Sequence, residues 1–173
     1  MRKLHDRQTG ISTTGLLAVL FVAIVAIVIA ATSFPSFLVS PNGANQKSAT
    51  AIQQRADETG AIMALRSIYS AESTYAVSDG QGSYATLSTL SSTALIDQRW
   101  AGTGAVNGYQ YEVILDSTGN KGFCATAERL SDKMGNYSYA ISQQGVIYRL
   151  AGDTAPSCDP TTGLISTGTP LGS

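Results

Sequence analysis

The chain has 173 residues, 13% of them charged and 43% hydrophobic, with a net charge of −1. Its first ten residues, MRKLHDRQTG, contribute +2 and leave −3 for the rest, a mildly acidic body that gives no electrostatic reason to expect nucleic-acid binding, which normally shows a basic stripe. The single histidine, His5, lies in that basic leader, which excludes a Ser-His-Asp or Cys-His arrangement from everything beyond it.

Residues 11–34 carry no charge, and everything from Leu16 to Ala31 is apolar. As a helix this stretch would reach roughly 36 Å, against the roughly 30 Å of a hydrocarbon layer. Apolar residues on all sides leave such a helix no solvent face, so a membrane-spanning segment is expected rather than a core helix. Arg2, Lys3 and Arg7 then keep the short side cytoplasmic and send the remaining chain outward. A secretory signal peptide competes with this reading: Ala30-Ala31-Thr32-Ser33 offers small residues for cleavage, although the run exceeds the usual length of about 7–15. Ala23, Ala26, Ala30 and Ala31 would let other helices approach closely.

Pro35, Pro41 and Gly43 break the pattern, which predicts a hinge or linker over 35–47. A second helix is expected over 48–76, with a start as early as Ala44. Ile62, Leu65 and Tyr69, with Ile68 and Tyr75 nearby, form its apolar side, and Asp57, Glu58 and Arg66 the opposite one. Turn residues at 78–83 end it. A short helix is expected within 84–96, then a glycine-rich loop over 97–108 carrying the sole tryptophan, Trp100. Gly102, Gly104 and Gly108 do not match the dinucleotide fingerprint, since the third glycine is misplaced and no strand leads in.

Strands follow. In GYQYEVILD (108–116), Tyr109, Tyr111, Val113 and Leu115 alternate with Gln110, Glu112 and Ile114, as in a half-exposed strand. A turn at 117–120 and GFCATAERL make a hairpin, and NYSYAISQQGVIYRLA supplies two more strands around Gln144-Gly145. Asp116 and Asn120 are too few oxygen donors for a calcium loop. The sequon Asn136-Tyr137-Ser138 is assigned no role. The tail from 151 to 173, rich in Gly, Pro, Thr and Ser, is expected to be an irregular cover fastened near Cys158. Cys124 and Cys158 are expected to form a disulfide in an outward-facing domain, the other reading being two buried thiols; two cysteines without a nearby histidine cannot complete a zinc site. The acids are scattered and no phosphate-cradling motif is present, so neither an enzyme nor a cofactor is expected.

The Gly10-Ile11 junction, a glycine closing a basic leader ahead of an apolar run, resembles the processing site of type IV prepilins and pseudopilins. The segment ADETGAIMALRSIYSAESTYA, then Phe123-Cys124-Ala125 and the strand pair from Tyr137 to Tyr148, resemble the later parts of the same proteins. The resemblance implies cleavage by a prepilin peptidase after Gly10, leaving Ile11 as the first residue. It implies an α+β fold: a long N-terminal helix, with a membrane-spanning half, a kink between Pro35 and Gly43 and an amphipathic half, packed on an antiparallel sheet of about four strands. The corresponding parts are a leader at 1–10, a transmembrane and filament-core helix at 11–34, the linker at 35–47 and an extracytoplasmic domain at 48–173. The implied role is a structural subunit of a pilus or secretion-type pseudopilus. Its implied partners are like or related subunits, an inner-membrane assembly platform, the peptidase and membrane lipid. The chain would first lie in a bacterial inner membrane, as a single pass with a cytoplasmic N-terminus, and afterwards in a filament. One departure is plain: the family usually carries a glutamate at the fifth mature position, where this chain has Gly15, and no acid lies between Asp6 and Asp57. Moving the cut to Gly15-Leu16 puts Leu20 there instead. Some minor subunits at a filament tip share this lack. The other function class is a membrane-tethered extracytoplasmic binding module that does not polymerise.

Overall fold

The computed structural model describes residues 44–100 and 104–172. The chain divides into residues 1–45 and 46–173, and the second unit carries the fold below.

Helix α1 spans Ala44–Val77. Ala61, Leu65, Ile68 and Glu72 recur every three or four residues and are fully buried, so one stripe of the helix faces the sheet. Ile62 and Tyr69 flank that stripe and pack on the same core. Hydroxyls on α1 turn inward: Thr59 donates to the Arg55 carbonyl at 2.8 Å and Thr74 to that of Ser70 at 2.8 Å, so neither needs an outside partner. The helix stops where Gly80 N–H donates to Tyr75 O and Gly82 N–H to Ala76 O, each at 2.7 Å. Gly82 takes φ +81°, which a side chain would resist.

The next segment contains α2 (Leu87–Ser92), capped by the Thr86 hydroxyl accepting from Thr89 N–H, and a single 3-10 turn at Gln98–Trp100. Then comes an antiparallel meander: β2 (Tyr109–Leu115), β3 (Phe123–Arg129), β4 (Tyr137–Ser142) and β5 (Ile147–Ala151). Two short strands extend it, β1 (Ala105–Val106) beside β2 and β8 (Thr169–Pro170) beside β5, giving the order β1-β2-β3-β4-β5-β8. In between, β6 (Cys158–Asp159) and β7 (Leu164–Ile165) form a separate two-stranded sheet. Asn107 and Gly108 join β1 to β2 with φ of 50° and 80°, the geometry of a two-residue hairpin turn that favours this pair of residues.

The period-two pattern sorts the sheet's faces. Tyr109, Tyr111, Phe123, Ala125, Ala127, Tyr139, Ile141 and Ile147 pack with the α1 stripe in one core. The other face holds Cys124, Ser138, Ala140 and Ser142, buried under the tail. There Ser142 Oγ donates to Gly163 O at 2.7 Å, and Ser138 Oγ to Gly152 O at 2.8 Å. Helix, sheet and tail therefore form three successive layers.

The expected architecture is corrected on two points. The main sheet has six strands rather than about four. The two additions are two residues long, too short for an alternation to register, and they are placed by their neighbours. Secondly, among the described residues no helix is long and apolar enough to cross a membrane. α1 buries one stripe on the sheet and carries Lys47, Arg55, Asp57, Glu58 and Arg66 elsewhere, as a domain helix does. The expected location, a single pass through a bacterial inner membrane, is corrected with it, since the described helix is not such an anchor. The expected span at 11–34 and the kink at Pro35, Pro41 and Gly43 lie outside the described residues.

Candidate functional site

The α1 flank turned away from the sheet is the most distinctive surface of the described residues. Ile52 and Met63, three turns apart on one face, are 69% and 62% exposed. Beside Met63 the segment after α2 folds back, and an open groove of about 520 Å3 runs between it and α1. Met63, Arg66, Ser67, Ser70 and Thr74 line the groove from the helix, and Leu95 from the segment. A recess of about 290 Å3 continues along Ser67, Ile96, Asp97 and Trp100.

Local contacts set this segment in place. Asp97 Oδ1 accepts from Arg99 N–H at 2.9 Å, which shapes the 3-10 turn. That N–H, with the Arg99 guanidinium at 3.2 Å, holds the Asp97 carboxyl below its usual range. Trp100 then packs on Tyr111, ring centroids 4.7 Å apart, and Tyr84 meets Phe123 edge-on at 4.8 Å. Leu90, Ala85 and Ala71 form a second, smaller core under α2, with Tyr75, Leu95 and Ile96 packed against it.

Glu72 reaches this junction from α1. Its carboxyl is fully buried, and Oε2 accepts from Ala85 N–H at 2.9 Å. Oε1 is buried and has no hydrogen-bond partner among the described residues. Burial pushes the carboxyl up to about 7, the Ala85 N–H only partly opposing this. The sequence carried a sign of it: Glu72 stands four residues after Ile68 and seven after Leu65, a charged residue on an apolar stripe. In sequence Glu72 also belongs to the Ala-Glu-x-x-Tyr part of the segment that carries the family resemblance, and nothing in that motif marks it as interior.

Of the residues named from sequence, Cys124 and Cys158 are joined in a disulfide, Cα atoms 6.1 Å apart, tying β3 to β6. Gly10, Ile11, Pro35, Pro41 and Gly43 lie outside the described residues. Asp116, named as an oxygen donor, caps its own turn: its Oδ1 accepts from Thr118 N–H at 2.6 Å and from Thr118 Oγ1 at 2.8 Å. Among the described residues no group of three or more His, Cys, Asp or Glu could hold a metal ion. Arg129 closes the far end of the sheet, with Nε 2.6 Å from Asp153 Oδ1 and Nη1 donating to Gly135 O at 2.6 Å. Glu58 anchors the same end by accepting from Asn136 N–H at 2.6 Å. These carboxylates and hydroxyls are engaged in holding the fold, whereas Ile52 and Met63 on the α1 flank stay exposed. Comparison with family models, with characterised proteins and with solved structures finds no match to this chain.

Proposed function

We propose that the chain is a structural subunit of a filament of the type IV pilin or pseudopilin kind, with no enzymatic activity. The observation that carries this reading is α1: a 34-residue helix whose one stripe is buried on an antiparallel meander while its other flank keeps Ile52 and Met63 exposed. In sequence it follows the uncharged stretch 11–34 and the Gly10-Ile11 junction. On this reading the apolar stretch packs among those of like or related subunits, and the stapled sheet domain lies on the outside. A prepilin peptidase and an assembly platform are its other partners. Gly15, at the place where an acid would meet a neighbour's terminal amine, favours a minor or tip subunit over a major one, and equally the alternative of a tethered binding module that does not polymerise.

The test is the mature N-terminus. The full chain is co-expressed with an active prepilin peptidase and its terminal peptide is read by mass spectrometry. A start at Ile11, lost on substituting Gly10, supports the proposal. A start at Met1 or just beyond Ala31 refutes it.

A further inference from the structure

A carboxyl group taken out of water must find charge partners and donors or keep its proton. Glu72 has one donor, the Ala85 N–H, and a second oxygen with none. Among the described residues no cation pairs with it. Tyr69 and Tyr75 share its helix, and Tyr84 faces it from the loop after α1, its phenol pushed up chiefly by its own burial and also by Tyr69 and Glu72. Lys121, on the turn between β2 and β3, donates to Ser83 Oγ at 3.0 Å, and Arg66 lines the groove; neither forms an ion pair with Glu72. The bond from Ala85 N–H to Glu72 is also where the covering segment begins. Ala85 N–H is the first polar tie between α1 and residues 84–96, and the small core of Ala71, Ala85 and Leu90 closes behind it.

We propose that Glu72 is a proton-operated clasp: protonated, it holds Ala85 and keeps residues 84–96 seated on α1; ionised, it favours lifting of that segment, which reshapes the groove flanked by Leu95. The anion strengthens a single hydrogen bond, but one bond does not replace the water that a carboxylate loses on burial. Lifting the segment is the route by which water reaches the charge. The affected surface is the α1 flank, so a change of pH near neutrality would alter what that flank presents to a partner. The clasp does not depend on the filament reading, and its test is separate from that of the N-terminus.

The test uses the full chain. Amide exchange at Ala85, corrected for the intrinsic pH dependence of exchange, measures how often the segment opens. A carboxyl near 4.5 when open and about 7 when closed makes the opening constant rise roughly 70-fold between pH 5 and pH 8. The emission of Trp100, the sole tryptophan, should shift over the same interval. In E72Q, which keeps an acceptor for Ala85 and carries no charge, both changes should shrink below about threefold. An Ala85 opening constant that stays level in the wild type overturns the clasp, as does an equal rise in E72Q. If E72Q does not fold, the carbon-13 titration of the wild-type Glu72 carboxyl decides. A midpoint near 7 with Ala85 moving in step supports the proposal, and a midpoint near 4.5 overturns it.

Discussion

Reducing the Cys124–Cys158 bond removes a constraint rather than a packed group, which makes its effect calculable from chain length. The bridge spans a sequence separation of 34. For a loop of that size the chain-entropy relation gives about 4 kcal/mol at 25 °C, since the unlinked unfolded chain regains that freedom. Unfolding entropy of roughly 2.1 cal/mol/K per residue, over the residues of the 46–173 unit, converts this to a fall in Tm of about 15 °C. Comparing oxidised and reduced wild type avoids the cavity that a substitution at the fully buried Cys124 would add. The assay is thermal unfolding followed by far-ultraviolet circular dichroism, with urea unfolding as a check that the m value is retained apart from the extra exposure of an unlinked chain. Because Cys158 opens the β6–β7 pair, amide exchange in the tail should rise before that of β3 and β4. A Tm fall below about 3 °C, with the tail still protected, would refute the reasoning and place the tail's hold in its hydrogen bonds, such as Ser142 to Gly163.

Other expectations follow from the same geometry. Leu65→Ala should cost about 2–5 kcal/mol in urea unfolding, because Leu65 is fully buried between helix and sheet; Met63→Ala, on the exposed flank, should stay within about 0.5 kcal/mol. Glu72 has a folded value raised from 4.5 to about 7, so the native state holds more protons than the unfolded one between those values. Its contribution is complete below pH about 4.5, declines as pH rises and is gone above about 7, roughly 3 kcal/mol in all; E72Q should flatten that part of the stability profile. Gly122→Ala would drive a methyl group into the carbonyl of Pro160, so it should loosen the tail, read as faster thermolysin cleavage with the sheet's circular dichroism intact. Gly108→Ala meets Met134 side-chain atoms at 2.6 Å in a φ of +80°, and should lower stability by about 1–3 kcal/mol in urea unfolding.

The parts of the fold that were legible in sequence are those whose own period reports their burial. In β2, Tyr109 and Tyr111 point into the core and Glu112 and Ile114 out of it, as alternation demands. The helix stripe was legible through Leu65 and Ile68, although Ile62 and Tyr69 turn out to flank the buried line rather than occupy it. The hairpin at Asn107-Gly108 falls inside the stretch expected as a loop, because Ala105 and Val106 are too few to alternate, even though the turn pair itself is a usable sign. β8 could not be read at all. It contains Pro170, and its register, Tyr148 opposite Pro170 and Arg149 opposite Thr169, is set by β5 across a long loop. The burial of Glu72 is hidden for a related reason: a glutamate on a helix suggests solvent, and only the position of Ala85, thirteen residues on, makes it interior.

The strand at the β5 flank of the sheet also bears on how copies of this chain can meet. β8 is short and ends in Pro170, which has no N–H to offer an incoming strand, while Leu171 N–H is already spent on Ile147 O at 2.8 Å. That border is a poor template for edge-to-edge strand addition. Crowding many copies side by side therefore carries little risk of runaway β-aggregation along this flank, and ordered contact is left to the surfaces that remain.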